Sequence, residues 1–294
     1  MPNNEAKIRP ESLLKRIHEA YSALPGGERK VADAILNAPS EMAVWTASEL
    51  AGHAGVSNAT VSRIIQRLGY RNFEAARQDA RKLREIGSPL FMNEKADLAQ
   101  GNGPYGGLVR AEAEIIEATL SRLDMGMLHE VAEAIAGARQ IRTLGFRNSR
   151  FLADYFTAQI VQMRPNVAPL VLDGQTVAEG IAGLGEGDVA IVIGLRRRPA
   201  RFSRLVQAIA ARKARLVLLA DSSLREAPAY ATWMFECVVD TSWSRDSYVG
   251  ALALLRLLAI ECGTALGEAG RQHLNMVETL REDLDELEIL PGAL

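Results

Sequence analysis

The sequence predicts a mixed α/β chain in two parts, an all-α module followed by a module of alternating strands and helices. Three observations carry this. Residues 11–87 hold apolar side chains at three- and four-residue spacings, interrupted by Gly and Pro. From Ile141 onward, short apolar runs alternate with helix-length segments, the pattern of a five-stranded, mostly parallel sheet flanked by helices. Between the two, residues 88–107 contain two Pro and four Gly, a linker composition. The expected organisation is therefore a first domain over 1–87, a linker over 88–107 and a second domain over 108–294.

The bulk composition agrees. At 294 residues, the chain has the length of about two ordinary domains. With 48% hydrophobic and 24% charged residues it is globular in type rather than disordered. No uninterrupted apolar run approaches the roughly 20 residues of a membrane span. The N-terminus lacks the apolar block of a secretory leader, so no membrane partner is expected. Cys237 and Cys262 are too few for a disulfide framework or a four-ligand zinc site, and they fit a reducing cytoplasm.

In the first module, Leu13, Leu14, Ile17 and Tyr21 form an amphipathic stripe over Glu11–Leu24, which Pro25-Gly26-Gly27 ends. A second stripe, Val31, Ile35 and Leu36, stops before Pro39. Thr46 followed three residues later by Glu49 is a capping box, so a helix starts there, and Gly55 can supply the left-handed turn that closes it. Ser57 then caps a helix with Val61, Ile64, Ile65 and Leu68 on one face, and Gly69 ends it. Two short helices joined by a tight Gly-containing turn make a helix-turn-helix, pinned by Leu50, Ala51, Val56, Val61 and Ile64.

The leading turn of that second helix offers Asn58, Ala59, Thr60, Ser62 and Arg63. Asn can bond adenine bidentately, Arg can bond guanine, and Ala or a Thr methyl can meet a thymine methyl. Thr46, Ser57 and Thr60 suit phosphate oxygens, as do Arg67 and Arg71 beside them. Charge supports this. The whole chain carries −2, yet residues 1–95 carry 14 bases against 11 acids, and Arg63–Arg84 holds seven bases and two acids. A basic segment on an acidic chain marks the module that meets a polyanion. His53 is read as solvated or phosphate-facing, since nothing around it has metal-ligand spacing.

In the second module, helical periodicity returns at Leu108 and again over Met127–Ala138. Strands are expected at Ile141–Gly145, Val167–Leu172, Val189–Gly194, Arg215–Ala220 and Cys237–Asp240. The helices between them are expected at Arg150–Met163, Thr176–Leu184, Ala200–Lys213 and, shorter, Ala227–Trp233. Ligands in such sheets sit at the carboxyl ends of the strands. Two ends stand out. After the first strand, Arg147, Asn148 and Ser149 can address an anion. After the third, Arg196-Arg197-Arg198 repel one another, which an anionic ligand would relieve; the alternative is that one or two face solvent or pair with Asp or Glu of a partner subunit. Ser242, Arg245 and Ser247 are further candidates for the pocket or a subunit contact.

These motifs together resemble the RpiR family of bacterial transcriptional regulators. The likeness rests on Glu28-Arg29-Lys30-Val31-Ala32, on Ala47-Ser48-Glu49-Leu50-Ala51, and on Val56-Ser57-Asn58-Ala59-Thr60-Val61 leading into Arg67-Leu68-Gly69-Tyr70 and Phe73-Glu74. It implies a sugar isomerase (SIS) domain behind the DNA-binding domain, and a homodimer or homotetramer that changes operator affinity on sensing a small anionic metabolite. Ser149 takes the first serine position of such domains. The second, a Ser-x-Ser-Gly-x-Thr phosphate loop, falls on Gly194–Pro199 and is replaced by Gly-Leu-Arg-Arg-Arg-Pro. That favours a carboxylate ligand or a differently placed phosphate. A dimer implies an inverted-repeat operator in double-stranded DNA.

No catalytic residue, metal site or cofactor is expected. A Gly-x-Ser-x-Gly elbow, a Gly-x4-Gly-Lys loop, a His-Glu-x-x-His run and an evident acid/base pair are all missing from the sequence. The alternative is a sugar-phosphate isomerase with an accessory DNA-binding module. The acidic segment Val277–Leu287 has leucines at helical spacing, suited to packing on its own domain or to a subunit contact.

Overall fold

The computed structural model describes residues 13–85, 105–240 and 246–286. The chain divides into two compact units near residue 96. Of the candidate residues, Ser242 and Arg245 lie outside the described set.

The first unit is helical: α1 (Leu13–Ala20), α2 (Gly26–Asn37), α3 (Ala47–Ala54), α4 (Asn58–Arg67) and α5 (Phe73–Glu85). The first stripe is shorter than expected, because α1 passes into a single 3-10 turn at Tyr21–Ala23. Its start is held from a distance, since the Leu13 amide donates to the Asp79 carboxylate 2.9 Å away. Leu13, Ile17, Val31, Ile35, Leu50, Val61, Ile64 and Ile65 are wholly buried in one core. Each contributes on the order of 1.5–3 kcal/mol of burial.

The second unit opens with α6 (Gly106–Leu120) and α7 (Met125–Ala136). Strands β1 (Ile141–Gly145), β2 (Val167–Pro169), β3 (Val189–Gly194), β4 (Arg215–Ala220) and β5 (Trp233–Glu236) follow, with α8 (Asn148–Val161), α9 (Val177–Ala182) and α10 (Phe202–Ala210) between them, and α11 (Val249–Asp283) closes the chain. The sheet runs β2-β1-β3-β4-β5 with parallel pairings throughout. One face packs Val189, Ile191, Ile193, Val217 and Leu219 against α7, α8 and α11. The other packs Ala190, Val192, Leu216 and Leu218 against Phe202, Val206 and Ile209 of α10. Every residue of β3 is buried, which explains its unbroken apolar run.

The last strand differs from the sequence reading. It occupies Trp233–Glu236 and not Cys237–Asp240, with Val217 opposite Trp233 and Ala220 opposite Glu236. The Thr232 hydroxyl accepts from the Leu216 amide and fixes this register. Cys237 and Val239 are apolar because they pack in the core beyond the ladder. The helix expected at Ala227–Trp233 is only a 3-10 turn, Ala227–Tyr230. Strand β2 stops at Pro169, and the chain turns at Gly174 (φ +82°) before α9.

Helix α11 has an 18-residue window of mean hydropathy 1.8, apolar and long enough to cross a bilayer. Here Ala251, Leu254, Leu255, Leu258 and Cys262 pack instead in the larger core, as in the central helix of a globular unit.

At the amino ends of the strands, Asp188 is wholly buried and accepts from Arg139 (2.9 and 2.7 Å), Gln140 (2.9 Å) and the Gly185 amide (2.8 Å). Burial pushes its carboxyl up, but these bonds outweigh burial and hold it below the usual range.

Both cysteines are buried, and burial pushes each thiol up to about 12. Neither should react with iodoacetamide in the native protein at pH 8, and both should react once it is unfolded. Intact-mass spectrometry reads this directly, and native labelling would contradict the packing.

Candidate functional sites

In the helical unit, α3 and α4 are built by local chemistry. The Thr46 hydroxyl accepts from the Glu49 amide (3.2 Å) while the Glu49 carboxylate accepts from the Thr46 amide (2.7 Å), completing the capping box. These bonds hold Glu49 below its usual range, the Thr46 amide bond first. Gly55 (φ +63°) closes α3, and the chain re-enters helix at Asn58.

The exposed side of α4 carries Asn58, Ala59, Ser62, Arg63, Gln66 and Arg67. Asn58 is steadied by a bond from its Nδ2 to the Ser48 hydroxyl at 3.0 Å, and Arg63 donates to the Thr60 hydroxyl at 3.1 Å. Gln66 was missed in the sequence reading, although it lies one helical turn from both Ser62 and Arg63.

Three expectations change. Thr60 is buried, not exposed, because it stands one turn from Ile64 on the core side. There a β-carbon on Gly27 would lie 3.4 Å from its methyl. Ser57 occupies the cap position but bonds the Thr60 hydroxyl (3.1 Å) rather than a helix amide. Arg67 is half-exposed and paired with the buried Glu28 at 2.7 Å, which ties α4 to α2. Arg71 is exposed. His53 is exposed and stacks on Trp45, with ring centroids 4.6 Å apart.

In the α/β unit, the three adjacent arginines meet different fates. Arg196 is buried in a left-handed conformation (φ +42°) and pairs with Asp240 and Asp246. Burial pushes the Asp246 carboxyl above its ordinary value, against the pull of Arg196. Arg198 crosses the end of the sheet, donating to the Gly194 carbonyl (2.8 Å), Asp221 (2.8 Å) and the Ser223 hydroxyl (2.7 Å). Burial opposes ionisation of Asp221, but bonds from Ser223 and the Arg196 amide prevail and lower its pKa. Only Arg197 is exposed. The repulsion that pointed to an outside anion is thus largely relieved within the chain, by carboxylates 23 to 50 residues further along.

Ser149 is buried, and its hydroxyl accepts from the Leu195 amide at 3.4 Å. Asn148 bonds the Tyr248 hydroxyl. Ser247 is buried and donates to Glu112. Arg147 is exposed, with φ +57° and ψ −125°, at the head of α8. Beside it, a cleft of about 420 Å³ opens between the carboxyl ends of β1 and β2. Among the described residues no group of three or more His, Cys, Asp or Glu could hold a metal ion.

Residues 11–80 match the helix-turn-helix domain of the rpiR family, and residues 134–261 match the SIS domain. An uncharacterized HTH-type transcriptional regulator of Haemophilus influenzae is 28% identical over 153 residues, which is 49% of this chain and 51% of that one. The chain therefore spans about half the length of that relative. The HTH-type transcriptional regulator HexR of Escherichia coli is 23% identical over 286 residues, covering 95% and 98% of the two chains. Among solved structures, the Vibrio vulnificus NanR protein complexed with ManNAc-6P has TM-score 0.55 at 17% identity, covering 92% of this chain and 98% of that one. The sugar isomerase domain of an RpiR transcription factor from Sphaerobacter thermophilus has TM-score 0.54 at 20% identity, covering 58% and 98%. At these identities the two structures show a shared fold.

Proposed function

We propose that this chain, whose residues 11–80 match the helix-turn-helix domain of the rpiR family and whose residues 134–261 match the SIS domain, is a DNA-binding transcriptional regulator whose affinity for its operator is set by a small anionic metabolite. The observation that carries this is the exposed face of α4: Asn58, Ala59, Ser62, Arg63 and Gln66 face solvent on a helix whose opposite side is locked into a core. A helix held this way can enter a major groove without rearranging.

In this reading Asn58, Arg63 and Gln66 address base edges, and Ser57 and Ser62 lie close to the sugar-phosphate backbone with Thr46 and Arg71. Thr60 and Arg67 keep the helix in place, with Arg67 reaching a phosphate only through its exposed edge. The second domain senses a phosphorylated or carboxylated metabolite, and two copies of the chain read an inverted repeat. The ligand in the NanR structure is a sugar phosphate, which supports that ligand class. An effector that changes operator affinity tenfold carries a coupling of about 1.4 kcal/mol, and bound DNA must change effector affinity by the same factor.

Fluorescence anisotropy with duplexes from upstream of the protein's own operon tests this. Six phosphate contacts would give a log–log salt slope of about −5. Binding without sequence preference and without salt dependence would overturn the reading. The regulators named among the relatives favour this over an isomerase.

A further inference from the structure

The loop after β3 is the place where sequence reasoning put the anion, and it is already filled. Arg198 is engaged by Asp221, Ser223 and the Gly194 carbonyl, and Arg196 is buried against Asp240 and Asp246. The Phe202 ring lies against Gly194 so closely that a β-carbon there would fall 2.3 Å from it. An anion entering this loop would have to displace internal carboxylates and gain no new cation except Arg197.

The cleft between the carboxyl ends of β1 and β2 has the opposite character. Its volume of about 420 Å³ suits a small metabolite. Phe146, Arg147, Arg150, Asp154, Asp173 and Gln175 stand on its walls. Arg150 and Asp154 are 3.5 Å apart along α8 and largely answer each other. The Arg147 guanidinium makes no hydrogen bond or ion pair with another described residue, so its charge is available. The Gln175 side-chain oxygen accepts from the Leu172 amide at 3.2 Å, which leaves its NH₂ as a donor. Carboxylates such as Asp173 accept from hydroxyl groups, and the Phe146 ring offers an apolar wall for C–H surface.

We propose that this cleft, and not the arginine loop after β3, takes the ligand of the second domain: a small polyhydroxylated anion whose phosphate or carboxylate is held by Arg147. This rests on the reading above that the domain senses a small anion.

Backbone conformation supplies a clean test. Arg147 has φ +57° and ψ −125°, nearly the conformation that Gly267 adopts at φ +53° and ψ −128°. A side chain is poorly accommodated there, whereas glycine is at ease. Arg147→Gly should therefore fold at least as well as wild type while losing the guanidinium.

The experiment is a thermal-shift titration of the full chain, wild type, Arg147→Gly and Arg197→Ala, with D-glucose 6-phosphate, D-gluconate, inorganic phosphate and D-glucose as probes. One of the first two should stabilise wild type selectively over D-glucose, and which one does so tells phosphate from carboxylate. That probe should bind Arg147→Gly at least tenfold more weakly and Arg197→Ala unchanged. Weakening in Arg197→Ala, or undiminished binding in Arg147→Gly, overturns the placement and leaves the sensing reading intact. No shift of wild type with any of the four overturns the sensing reading, and the placement with it.

Discussion

The double variant Asn58→Ala, Arg63→Ala is expected to keep its fold and lose specific operator binding. Both side chains are exposed on α4, so their removal should change stability by no more than about 0.5 kcal/mol. Each well-made base contact is worth roughly 1–3 kcal/mol, so together they should weaken specific binding by about 30-fold to on the order of 10⁴-fold. Binding to a scrambled duplex, which rests on phosphates, should change far less. Anisotropy titrations on operator and scrambled DNA separate these, with circular dichroism as the control for folding. Equal losses on both duplexes would mean that α4 contacts the backbone and reads no bases.

The second large effect concerns stability. Arg164 is buried, yet among the described residues no carboxylate pairs with it. Its guanidinium donates to the carbonyls of Ile135, Ala136 (2.9 Å) and Ala138 (2.6 Å), at and just past the end of α7. Helix ends leave carbonyls without partners and carry partial negative charge, so a cation there answers both needs. Burial lowers the pKa of Arg164, the cost of holding a charge inside. Arg164→Leu would leave these carbonyls without their donor, and we expect a loss of about 3 kcal/mol or more. In a domain of this size that lowers Tm by roughly 6–12 °C. Arg164→Lys keeps a point charge but not the fork, and should fall between the two. Urea denaturation measures the series, and a leucine variant as stable as wild type would refute the capping role.

The legible parts of this molecule are those whose causes are local. Thr46 and Glu49 are three residues apart, and Gly55 closes the helix they open, so the first helix of the pair could be read from the ten letters Thr46–Gly55. The run Val189–Gly194 announces its burial on both faces without reference to any other segment. The position of Thr60 was equally local and was misread: its spacing of four from Ile64 marks the core side, but its polarity suggested solvent. The fates of Arg196 and Arg198 were not legible, because Asp221, Asp240 and Asp246 reach them only through the strand order. The cleft beside Arg147 was invisible for the same reason, since its two walls come from segments joined only when β2 pairs with β1.

Asp188 has a consequence for how such a chain can diversify. It gathers Arg139, Gln140 and Gly185 at the amino ends of β1 and β3, so the seam that secures the sheet lies at the margin opposite the loops after those strands. Mutations in residues 146–149 or 171–175 can therefore accumulate without unpicking that seam. Descendants of one ancestral gene can change what they recognise while inheriting the same frame.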